Sequence, residues 1–150
     1  GEVADDNVRS RCRRFVSLGT PHVAPPEGSL VAMADQTRGL LSYVNERWPG
    51  AYWDGVKYTC VASKEVKGAI EVNLDSLLGY VSYFALIGEG GVDGDGITPV
   101  TAALLDGADH IVLDGVYHAD VLPNPIGGRN TKLLKCKWYA DKIDDWIAAL

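Results

Sequence analysis

Phe15-Val16-Ser17-Leu18-Gly19-Thr20-Pro21 decides how the rest of the chain is read. A short apolar run closed by Gly and Pro is the pattern of a strand buried on both faces of a sheet. It predicts a first strand from Arg13 to Leu18. Downstream, Pro25, Pro26 and Gly28 make a loop, and then Leu40, Leu41, Val44 and Trp48 recur at helical spacing until Pro49-Gly50 stops them. Lys57 to Ala62 is rich in β-formers and predicts a second strand. Strand, helix, strand in that order predicts an α/β fold, a parallel sheet with helices on its faces.

Further along the pattern weakens. Ile70 to Val72 and Leu77 to Leu86 are apolar without a clean period, and Gly79, Tyr80, Tyr83 and Phe84 favour neither state, so mixed helix and loop is expected. Gly88 to Gly96 holds five glycines and predicts a loop with several positive φ values, carrying Glu89, Asp93 and Asp95. Thr98 to Leu105 predicts a short helix with Pro99 at an early position, and Ile111 to Val116 a third strand with His118 directly after it. Ile143, Trp146, Ile147 and Leu150 lie on one face of a closing amphipathic helix, with Trp138, Tyr139 and Trp146 as its core anchors. About three parallel strands with flanking helices are thus expected, in one domain over residues 1–150, with no repeat and no dividing linker.

Composition narrows the function classes. The 150 residues are 47% apolar and carry 20 Asp/Glu against 14 Lys/Arg, a formal net charge of −6. That length can bury roughly 70% of the surface of the unfolded chain, enough for a core without disulfides or metal. The acidic balance argues against nucleic acid as a partner; Arg9, Arg11, Arg13 and Arg14 read as a solvated helix end. The apolar stretch Ser76–Gly88 falls short of the roughly 20 residues a membrane-spanning helix needs. Gly1 to Asp6 lacks the basic and then apolar pattern of a secretory signal, and Met33 is the only methionine, so the natural start is expected upstream. Cys12, Cys60 and Cys136 are far apart, without C-x-x-C spacing, and read as reduced thiols.

In open parallel sheets the working residues sit beyond the carboxyl ends of the strands. Thr20-Pro21-His22, Asp93-Gly94-Asp95-Gly96 and Tyr117-His118-Ala119 are the polar stretches in such places. An acid followed later in the chain by a His after the last strand suits a base oriented by a carboxylate, which fixes the imidazole tautomer and stabilises the imidazolium. Asp93 and Asp95 compete for the acid position. Thr20 and His22 are expected at the pocket rim, His22 in a structural hydrogen bond. An EF-hand reading of the acidic loop fails, because Ile97 falls on a ligand position and Leu104 where a bidentate Glu is needed. No Gly-Lys-Ser/Thr or third Gly supports a nucleotide, and His22, His110 and His118 lack zinc-ligand spacing, so no cofactor or metal is expected.

Phe15 to His22, Gly94-Asp95-Gly96-Ile97-Thr98-Pro99-Val100 and Leu113-Asp114-Gly115-Val116-Tyr117-His118, taken in order, resemble the post-nucleophile half of an α/β-hydrolase. The similar subgroup is the lipase-like or esterase-like proteins of plants and algae. Since the family order is Ser, then Asp, then His, the resemblance implies Asp95 as triad acid and His118 as triad base. Ser17 lacks the first Gly of G-x-S-x-G, and Ser10, Ser29, Ser42, Ser63, Ser76 and Ser82 fit no better. The resemblance therefore places the nucleophile elbow and both oxyanion donors upstream of Gly1. It implies that the full-length protein is a serine hydrolase of carboxylic esters, lipid esters among them, and that this chain alone is inactive. The same residues would serve an acyltransferase, and a non-catalytic binding or scaffold protein could keep the fold. A plastid address and peripheral membrane contact are compatible with the resemblance. Beside a missing nucleophile strand, the first strand would present an open apolar edge, which predicts self-association of the chain.

Overall fold

The structure, a computed structural model, describes residues 10–26, 39–121 and 138. Strands β1 (Arg14–Leu18), β2 (Lys57–Ser63) and β5 (Asp109–Leu113) form a parallel sheet in the order β1-β2-β5. Helix α1 (Leu40–Arg47) lies between β1 and β2 in the chain. Between β2 and β5 the chain makes an excursion: β3 (Val66–Lys67), helix α2 (Leu74–Ile87) and β4 (Asp93–Gly94), with β3 and β4 antiparallel. An α/β class is thereby established, and the strand, helix, strand order read from the sequence holds.

The register explains where the core sits. Leu18 pairs with Val61 and Val61 with Ile111, so these apolar residues share one face, where Val61, Val116 and Trp138 are buried together with Leu18, Ile111 and Leu113 against them. Strand β2 is central, and Cys60, Val61, Ala62 and Ser63 are all buried. Strand β1 is an edge of the described sheet, and it is not buried on both faces as its composition suggests: Phe15 and Val16 are 38% and 42% exposed. A short apolar run reports β-propensity, whereas burial depends on how many neighbours the strand has.

Four other expectations are corrected. Of the segments expected as mixed helix and loop, Ile70 to Val72 lies in bends, whereas Leu77 to Leu86 falls in one continuous helix, α2, whose ends are capped on both sides. The Asn73 side chain accepts hydrogen bonds from Asp75 N and Ser76 N at 3.0 and 3.3 Å, while Gly88 closes the last turn in the left-handed region at φ 77°. Asn73→Ala should lower stability by about 1 kcal/mol, read as a lower urea midpoint at unchanged slope; an unchanged midpoint would mean the cap contributes nothing. In the Gly88 to Gly96 loop only Gly88 and Gly96 have positive φ, and β4 interrupts the loop. The helix expected from Thr98 shrinks to a 3-10 turn, Val100–Ala102, and the third strand ends at Leu113, three residues before the buried Val116. The closing helix, with Tyr139 and Trp146, and Cys136 lie outside the described residues. Trp138 is in the core as expected. Among the described residues no helix is long and apolar enough to cross a membrane.

Candidate active site

Asp95 follows β4 directly and is 1% exposed. A carboxylate taken that far from water needs partners for both oxygens, and it has them. Oδ1 accepts from the backbone N–H of Ile97 at 2.9 Å and of Thr98 at 2.7 Å, the local turn that an Asp side chain favours. Asp95 N donates to Thr98 O at 3.1 Å and tightens the same turn. Oδ2 stands 2.9 Å from Nδ1 of His118.

His118 begins a short 3-10 turn, His118–Val121, after β5. Its approach is fixed by carbonyls on either side of the bend: Ser63 Oγ donates to Val116 O at 2.6 Å, and the Trp138 indole N–H donates to Tyr117 O at 3.2 Å. His118 N then donates to Asp95 O at 2.9 Å, so backbone and side chain both hold the base against the acid. Because the carboxylate can only accept, Nδ1 carries the hydrogen, and in the neutral ring Nε2 keeps a lone pair. The His118 side chain is 39% exposed, against 1% for Asp95. Hydrogen bonding to Asp95 raises the His118 pKa above 6.5, burial opposes this, and the charge of Asp95 adds to the rise.

Gly19, at the end of β1, adopts φ +55° and packs directly on the pair. A Cβ there would lie 2.6 Å from Asp95 Oδ2 and 2.8 Å from the Trp138 ring. Tyr83 of α2 lies on the other side of the acid loop, fully buried. Its hydroxyl donates to Val66 O at 3.0 Å and accepts from Gly96 N at 2.8 Å. Burial pushes this hydroxyl up to about 12, the Gly96 hydrogen bond opposes that, and the charges of Asp95 and Asp93 add to it. Neither Gly19 nor Tyr83 stands out in the sequence. The only signal is a hydroxyl-bearing ring in an otherwise apolar segment, and a glycine just after a strand.

The other sequence candidates do not contact the Asp95–His118 pair through their side chains. Asp93 is exposed in β4, opposite Lys67, and the acid joined to His118 is Asp95. Thr20 is exposed, one residue past Gly19, with its hydroxyl turned back to Leu18 O at 3.4 Å. His22 turns inward: Nε2 is 2.9 Å from Ser17 Oγ and 3.9 Å from Cys60 Sγ, its N donates to Ala102 O, and its carbonyl accepts from Asn45 Nδ2. It ties β1, α1 and the 3-10 turn together, and burial lowers its pKa. His110 Nε2 meets Leu105 O at 2.7 Å, so the three histidines do not converge. Among the described residues no group of three or more His, Cys, Asp or Glu is arranged to hold a metal ion. Cys12 and Cys60 are free thiols. Thr98 joins the acid turn through its backbone; its buried hydroxyl has no hydrogen-bond partner among the described residues.

A buried carboxylate on Nδ1 of a partly exposed imidazole can do one thing well. The ring can accept a proton at Nε2, hold the positive charge against Asp95, and return the proton. No family model matches the chain, and no curated protein or solved structure matches it.

Proposed function

We propose that this chain supplies the acid and the base of a Ser-His-Asp hydrolase of the α/β-hydrolase type, acting on carboxylic esters. The observation that carries this reading is the 2.9 Å contact between buried Asp95 and Nδ1 of a half-exposed His118. The ordered resemblance of the segments ending in His22, Val100 and His118 supports it. In this reading the nucleophile comes from the polypeptide before Gly1.

Each step follows from the ring's orientation. His118 Nε2 takes the serine proton as that oxygen bonds to the ester carbonyl carbon. The resulting imidazolium gives the proton to the departing alcohol oxygen as its bond to carbon breaks, leaving an acyl-enzyme. Water then repeats the cycle: Nε2 takes its proton, the hydroxide oxygen bonds to carbon, and serine leaves with the proton returned. An alcohol in place of water would make the same sequence an acyl transfer.

Covalent labelling tests the reading. The full-length protein should react with a fluorophosphonate probe on one serine, and His118→Ala should suppress the reaction; no labelling of the folded wild-type protein would overturn it. A pH dependence follows as well. The base works only when neutral, and the contact with Asp95 favours the protonated ring, so the acid limb of kcat/KM should have its midpoint above 6.5. In Asp95→Asn the midpoint should move downward. A midpoint that is the same in both proteins would show that Asp95 does not tune His118.

A further inference from the structure

We infer that Tyr83 is a positioning residue for this base: its hydroxyl fixes the acid loop so that Asp95 keeps Oδ2 on His118. The inference rests on the hydrolase reading and deepens it. It starts from how little of the Asp95 geometry is secured by regular structure. Strand β4 is two residues long, Asp93–Gly94, and the carboxylate sits immediately beyond it. Gly96, the next residue, has φ +98°, so the chain turns sharply just where rigidity is needed.

Tyr83 spans this weak point. One hydroxyl donates to Val66 O in β3 and accepts from Gly96 N after β4, so it bridges the hairpin strand to the turn that carries Asp95. It thereby satisfies the backbone N–H between Asp95 and Ile97. The Ile97 and Thr98 N–H groups are already committed to Asp95 Oδ1 at 2.9 and 2.7 Å. Rotation of that turn would move both donors and swing Oδ2 off the imidazole.

The surroundings are shaped to admit the hydroxyl. A Cβ on Gly94 would lie 2.6 Å from the Tyr83 oxygen and 2.5 Å from Thr98 O, so only glycine leaves room there. Gly79, one turn earlier on α2, and Tyr83 are the two buried residues of that helix. With its pKa raised to about 12, the hydroxyl stays protonated through the neutral range and remains both donor and acceptor.

Imidazole nitrogen NMR of the full chain tests the inference, with His22, His110 and His118 assigned by single substitution. Asp95→Asn should lower the His118 pKa; if it does not, the acid–base pair fails, and the hydrolase reading fails with it. Tyr83→Phe keeps the ring and removes the bridge, and should lower the His118 pKa, in the same direction as Asp95→Asn and by less. In the full-length enzyme it should reduce kcat roughly tenfold with KM nearly unchanged. A merely structural hydroxyl would cost stability and leave the His118 titration and that split where they are, which would overturn the inference while the pair stands. A measurement on the unaltered chain guards against a variant that does not fold. The Gly96 amide should resist hydrogen exchange as strongly as those of Ile97 and Thr98, and fast exchange at Gly96 alone would also overturn it.

Discussion

On the proposed hydrolase reading, Asp95→Asn should lower kcat for ester hydrolysis by the full-length protein about 10^4-fold, the scale on which an amide fails in place of a triad carboxylate. His118→Ala should do at least as much damage. The reason lies in the saturation of the carboxylate. Oδ1 is held by two backbone N–H groups, so in the variant the amide oxygen must stay there and the amide nitrogen must face His118. A donor opposite Nδ1 forces the hydrogen onto Nε2. The ring is then in the wrong tautomer to take a proton from serine, and its imidazolium has no counter-charge. KM should change little, because neither residue needs to touch the acyl chain. Steady-state kinetics on an aryl ester checks this, and near-normal rates in either variant would remove Asp95 and His118 from the mechanism.

Gly19→Ala is a severe structural perturbation for a single methyl group at this site. The backbone is in the left-handed region at φ +55°, where a Cβ costs about 1 kcal/mol before any contact is considered. The added atom would also meet Asp95 Oδ2 at 2.6 Å and the Trp138 ring at 2.8 Å, both buried, and neither is free to move. Such overpacking costs about 1–3 kcal/mol more, so a loss of roughly 2–4 kcal/mol is expected in urea unfolding. The protein that remains folded should also be impaired, because the methyl group displaces the oxygen that orients the base. Wild-type stability and wild-type kinetics together would show that β1 does not press on the pair.

Local chemistry was legible in the sequence and close approach was not. The strands centred on Val16, Val61 and Ile111 announce themselves by β-branched and aromatic composition, and Gly19 and Pro49-Gly50 mark ends correctly. Helix α2 was obscured because Leu74, Leu77, Leu78, Val81 and Phe84 are exposed while Gly79 and Tyr83 are buried. An apolar outer face removes the contrast on which a helical period depends. Its boundaries were still written in Asn73 and Gly88, which the apolar pattern drew attention away from. Asp95 and His118 were picked out by their order in the chain together with the family resemblance, and the fold brings the two side chains into contact. The choice of Asp95 over Asp93 depends on a turn that begins one residue after β4. Gly19 and Tyr83 act through contacts between segments far apart in sequence, and spacing carries no trace of those.

The order β1-β2-β5 has a consequence for direction. Neighbouring strands are about 4.8 Å apart, so the end of β5 lies roughly 10 Å across the sheet from the end of β1. His118 leaves from β5, yet its Nδ1 rests on the oxygen that touches Gly19 at the end of β1. The imidazole is carried sideways over two strands toward β1, the edge of the described sheet. A group delivered by a strand running alongside β1 would arrive a single strand spacing away, whereas one delivered beyond β5 would have to cross the whole rim. The pair is thus lopsided within the described sheet, and on the proposed reading the nucleophile approaches from the β1 flank.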